Sequence, residues 1–182
     1  MTINKSFLFL TLIALLSCKS SEDKNTDNLN LFSKCSDKTV RDNYKEVNNA
    51  LFKIKYPDNW TEDHKLPSGL DISSNNFQDT LQRGFMLSVV PYQEMYLKKN
   101  PKIKYFKYIN TTYNNFEAVF LTRNDLFARE SDSTVYWRSE LKIVNKAKSQ
   151  IYFLVMGRRH NKNKEPEWCD FKEIVESLKI IE

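Results

Sequence analysis

From residue 51 the sequence alternates between apolar and polar side chains. Phe52, Ile54 and Tyr56 fall on one side, Lys53 and Lys55 on the other. Period two predicts a strand with one buried and one wet face. Pro57 ends it, Asp58-Asn59 predicts a turn, and Trp60 follows as a core residue. The preceding stretch, Asp42 to Leu51, is polar with scattered Tyr44 and Val47 and reads as a short helix. Leu70 to Ser73 predicts a second short strand. Phe85 to Val90, nearly continuous in apolar residues, predicts a central strand. Pro91 to Asn100 reads as a helix, with Tyr92, Met95 and Tyr96 on one face and Pro101 as its stop.

Three further strands follow. Phe116 to Thr122 and Gln150 to Gly157 are apolar on both faces. Thr134 to Val144 alternates, with Val135, Trp137, Leu141 and Ile143 inward and Arg138, Glu140 and Lys142 outward. Asn145 to Ser149 forms the turn of a hairpin, and short connections of this kind favour antiparallel pairing. After the polar loop Asn161 to Glu165, Trp168, Phe171, Ile174, Val175, Leu178 and Ile181 recur at helical spacing. Asp170, Glu173 and Glu176 line the other side. A helix with one apolar stripe must lie on a sheet, so the pattern predicts an α+β domain.

The first part of the chain is different. Lys5 precedes the apolar run Phe7 to Leu16, which as a helix rises only about 15 Å, half of a hydrocarbon core. It suits a secretory leader better than a membrane span. Lys19 to Ser36 is polar and too poor in apolar residues to form a core. The sequence therefore divides into a leader (1–17), a flexible tether (18–36) and one globular domain (37–182).

Composition narrows the function. The formal charge of +5 is modest and both signs are dispersed, which argues against a nucleic-acid binder. The three glycines, Gly69, Gly84 and Gly157, are far apart, so no Gly-rich phosphate cradle exists. Beyond Cys18 two cysteines remain, Cys35 and Cys169. They read either as a disulfide, which an oxidising compartment permits, or as two free thiols.

Leu15-Leu16-Ser17-Cys18 resembles the lipobox of bacterial lipoproteins at all four positions. The resemblance implies cleavage before Cys18 and its acylation, which anchors the protein to a membrane, here expected to be the bacterial outer membrane. Phe52-Lys53-Ile54-Lys55-Tyr56-Pro57-Asp58-Asn59-Trp60 resembles the opening of PsbP-like domains, and the order of later elements agrees over about residues 40–182. This implies an antiparallel sheet of about six strands flanked by helices on both faces, and an accessory rather than catalytic role. No residue matches a metal or cofactor motif, and none is expected.

The candidate chemistry is sparse. His64 and His160 are the only histidines, and neither has metal-ligand spacing. The functional candidate is a cationic patch of Lys98, Lys99, Lys102, Lys104, Lys107, Arg158 and Arg159, suited to an envelope protein or an anionic glycolipid. The expected function is a lipid-anchored, non-catalytic binding or scaffold module. The alternatives are a binder of a small or lipid-like ligand between sheet and helix, near Trp60, Trp137 and Tyr96, and a hydrolase using His64 or His160.

Overall fold

The structure is a computed structural model that describes residues 35, 43–74, 83–124 and 133–181. Cys18 and most of the tether lie outside these. The described chain runs β1 (Tyr44–Asn48), β2 (Phe52–Pro57), β3 (Trp60–Leu66), β4 (Gly69–Ser74), β5 (Gly84–Pro91), β6 (Lys107–Tyr113), β7 (Phe116–Asn124), β8 (Thr134–Asn145), β9 (Gln150–Asn161), α1 (Cys169–Ser177) and β10 (Lys179–Ile180). The strands form two sheets. The larger has seven strands in the order β3-β4-β5-β9-β8-β7-β6, and the smaller has three, β1-β2-β10. Every pairing is antiparallel.

The expected six-stranded sheet with helices on both faces is corrected by this architecture. Among the described residues there is one α-helix, and it shares the inner face of the large sheet with the small sheet. Two predicted helices are absent, for physical reasons. Tyr44–Asn48 is a strand that buries only Val47 and pairs along β2. The 91–100 segment makes only a 3₁₀ turn, Glu94–Leu97. Its apolar residues find no common surface: Met95 is 68% exposed, while Tyr96 alone meets a ring, that of Phe153 at 5.3 Å. A short helix without a buried face has too little to hold it. The pattern also hid β6, whose polar residues form the far edge of the large sheet. Asn114 and Asn115, both at positive φ (47° and 68°), make the tight turn that folds β6 onto β7.

One continuous core fills the space between the layers. The inward side chains of the large sheet, among them Phe85, Leu87, Phe120, Trp137, Tyr152 and Leu154, meet Phe52, Ile54 and Tyr56 of β2 and Phe171, Ile174 and Val175 of α1. The helix stops where Ser177 Oγ donates to the Ile174 carbonyl (2.7 Å) and accepts the Lys55 N–H (2.8 Å). The chain then extends as β10 beside β2, with Ile180 opposite Phe52. Ile181, expected in the helical stripe, lies beyond the helix and is 37% exposed.

Tyr113 closes the C-terminal end of α1 from across the core. Its hydroxyl is shared between the carbonyls of Val175 (2.7 Å) and Leu178 (3.0 Å), and burial holds the phenol well above its usual pKa. The Val175 carbonyl also accepts the Leu178 N–H at 3.0 Å, so the phenol adds a second donor to the last turn of the helix. Tyr113→Phe is expected to cost about 1 kcal/mol, the net contribution of a buried hydrogen bond. Urea denaturation checks this, and a variant as stable as the parent contradicts it. Cys35 and Cys169 form a disulfide with a Cα–Cα distance of 5.3 Å, which fixes the start of the described chain to the first residue of α1.

Candidate functional site

The outer face of the large sheet carries a concave feature among the described residues. Strand registers place Arg123, Arg138, Gly157, Gly84, Ser73 and Thr61 in one line across six strands, from β7 to β3. The adjacent line reads Leu121, Glu140, Val155, Met86, Asp71 and His64. Two glycines side by side leave a gap in the carpet of side chains. The result is a groove of ≈ 520 Å³ with Gly84, Gly157, Met86 and Val155 at its base.

The two glycines serve different ends. A Cβ on Gly157 would fall 1.9 Å from the hydroxyl of Tyr136, so the missing side chain is what lets the Tyr136 ring lie over β9. A Cβ on Gly84 would meet nothing within 4 Å, so that position is open space. The walls are polar. Arg138 stands on the β8 side. On the β3–β4 side stand Asp71, Asp63 and His64. A register shift between Glu62 and His64 leaves Asp63 unpaired in the ladder, and such a bulge re-aims a side chain.

Behind Arg138 the same face holds a charge cluster. Glu140, 9% exposed, is met by Arg123 (3.5 Å), Arg138 (3.8 Å) and Lys142 (3.8 Å). Lys142 also donates to the Tyr96 carbonyl at 2.8 Å, which pins the 92–105 connector over this half of the sheet. Burial, reinforced by Arg123 and opposed by Glu140, lowers the pKa of Lys142.

A second hollow, ≈ 330 Å³, opens between β9 and the start of α1, lined by Arg83, Arg158, His160, Lys164, Asp170 and Cys169 among others. Arg83 pairs with Asp170, and Arg158 donates to the Glu167 carbonyl at 2.7 Å. Cations and carboxylates are mixed here, so the hollow presents no single sign. Burial first, then Arg158 and Lys164, lowers the His160 pKa from 6.5. The folded protein therefore binds this proton less readily than the unfolded chain. Its contribution to stability is complete above the unfolded value and is lost as pH falls through the folded midpoint. An NMR titration is expected to place that midpoint below 6.5. His160→Gln should flatten this part of the stability–pH profile, and an unchanged profile contradicts the assignment.

The histidines thus occupy separate hollows, His64 in the groove and His160 in the recess. Among the described residues no group of three His, Cys, Asp or Glu is arranged to hold a metal. The cationic residues read from the sequence are dispersed. Lys98 pairs with Glu94 (3.2 Å), and Lys99 lies 5.8 Å from the rings of Tyr105 and Tyr108. Lys102 and Lys104 are exposed on the connector. Lys107 pairs with Glu165 at 3.2 Å, close to the segment that Arg158 binds, while Arg159 sits opposite Tyr136. Trp60 and Trp137 belong to the inner core, and Tyr96 packs on Phe153 of the outer face, so these three do not frame one ligand space. The groove was not visible in the sequence because Gly84 and Gly157 become neighbours only through the β5–β9 register.

No family model and no curated protein matches the chain. Solved structures do. The Ran-binding protein Mog1p of Saccharomyces cerevisiae superposes with a TM-score of 0.53 at 9% identity, over 77% of this chain and 96% of that one. A mutant of protein Mog1 gives 0.54 at 10% identity, over 77% and 97%. At this identity the likeness is one of fold, and the chain is similar to Mog1p in architecture alone.

Proposed function

We propose that the domain is a non-catalytic binding module, held at the bacterial envelope by a lipid on Cys18, and that the outer-face groove is its recognition site. The observation that carries this reading is the open base at Gly84, where a side chain would fit without a clash yet none is present. A concave surface with an apolar base and a few convergent polar groups is the usual form of a ligand site. The Cys35–Cys169 disulfide supports an exported protein, since such bonds persist outside the reducing cytosol. The lipobox-like Leu15-Leu16-Ser17-Cys18 supports the anchor and its placement at the outer membrane. The similar fold of Mog1p, a Ran-binding protein, is an example of this architecture in a binding role.

A hydrolase reading has less behind it. His64 shares the groove with Asp71 and Ser73, but among the described residues no side-chain hydrogen bond joins them. The lysine and arginine patch is also set aside, because Lys98 and Lys107 pair with carboxylates in separate places.

Two measurements test the proposal. Palmitate labelling is expected to mark the wild type and not Cys18→Ala, and absence of label removes the anchor. A thermal-shift screen of metabolites and peptides should give compounds that stabilise the wild type. Gly84→Phe, which fills the groove, should retain its own melting temperature within a few degrees and lose those shifts. Compounds that act equally on both proteins count against the groove.

A further inference from the structure

We infer that the groove takes a short, extended peptide with both termini free, its carboxylate over Arg138 and its ammonium against Asp71 and Asp63. This rests on the binding-module reading above and names a ligand class for the same site.

The charges of the groove are segregated. On the β8 side Arg138 lies directly opposite Arg123 of β7, and like charges placed so repel. Both guanidinium groups turn to the same oxygen of Glu140, at 3.8 and 3.5 Å, and Lys142 approaches the other oxygen at 3.8 Å. Charge-assisted hydrogen bonds are shorter, about 2.7–2.9 Å. One carboxylate therefore serves three cations loosely. The wall keeps an excess of positive charge, and each guanidinium brings five donors to the wall. Arg138, with its side chain 43% exposed, is the member of the cluster that lines the groove. The opposite wall holds Asp71 and the bulged Asp63. Between the walls the base is uncharged: Gly157, Gly84, Met86 and Val155.

A ligand carrying one sign of charge would be attracted by one wall and repelled by the other. A dipolar ligand complements both. From β8 to β4 there are three strand spacings, about 14 Å. An extended chain of four residues spans about the same distance. The glycines allow a backbone to lie close to the sheet, while Met86, Val155 and the Tyr136 ring offer apolar contact to its side chains.

Calorimetric titration of the purified protein with a tetrapeptide, alanyl-leucyl-leucyl-alanine with free ends, tests this. The free peptide is expected to bind, and acetylation of its amine or amidation of its carboxylate should each weaken binding about tenfold or more, as for the loss of a charged contact. Arg138→Met should weaken the free and acetylated peptides and leave the amidated one unchanged. Asp71→Asn should weaken the free and amidated peptides and spare the acetylated one. Equal affinities for free and blocked peptides, indifference to both variants, or no binding of the free peptide at about 1 mM overturns the inference. If the thermal-shift screen meanwhile yields Gly84-sensitive compounds with one charge or none, the binding-module reading stands without this one. If it yields none, both fall.

Discussion

Reduction of the Cys35–Cys169 disulfide is expected to lower the free energy of unfolding by up to about 5 kcal/mol on the chain-entropy account. The bond joins residues 134 apart in sequence, so it restrains nearly the whole domain in the unfolded state. It also attaches Cys35, which packs on the core, to the start of the helix that covers the inner face. Urea denaturation of oxidised and reduced protein measures the difference. The double variant Cys35→Ser, Cys169→Ser should match the reduced protein and show no response to reductant. Coincident transitions for oxidised and reduced protein would show that the bond contributes nothing to stability.

Truncation of Trp137 to alanine is expected to cost about 3–5 kcal/mol. The side chain is fully buried near the start of β8, its ring 4.4 Å from that of Phe106, and its Nε1–H donates to the Asn161 carbonyl at 3.0 Å. Removal leaves a large cavity and takes one of two donors from the Asn161 carbonyl, which also accepts the Lys164 N–H at 3.3 Å. Met95→Ala is the control: Met95 is 68% exposed, and its loss should change stability by less than about 0.5 kcal/mol. A Trp137 variant no more costly than the Met95 variant would mean that the inner face is not the core. Because Trp137 and Arg138 point to opposite faces of β8, any effect of the truncation on the groove must travel through loss of the strand itself.

How much of this was legible in the sequence depended on the reach of each signal. Phe52-Lys53-Ile54-Lys55-Tyr56 and Val135 to Ile143 declare strands because alternation is local. The β5 and β9 segments do so through length and apolar content. The stripe Phe171, Ile174, Val175 declares α1 for the same reason. β3 was hidden because only its first residue, Trp60, is buried, and the charged run behind it carries no pattern. β6 was masked by the lysines that precede it, although Asn114-Asn115 is a hairpin signal that would have found it. The polar segments 42–51 and 91–100 have a few apolar residues at spacings compatible with either a helix or a strand, and tertiary contacts decided against the helix. The groove lay beyond any local reading. Arg138, Glu140 and Lys142 face outward as alternation requires, but what they face is set by the register of four partner strands.

The disulfide has a mechanical consequence as well. A pull on any residue before Cys35 has a covalent route into the fold other than the backbone that leads on to β1, an edge strand of the small sheet. That route crosses the sulfur bridge and enters at Cys169, the foot of a helix whose buried residues grip the core. Strands at the margin of a sheet peel one hydrogen bond at a time, whereas a load delivered to the base of α1 must dislodge Phe171, Ile174 and Val175 together. Force that takes this route is carried by covalent bonds to the centre of the domain.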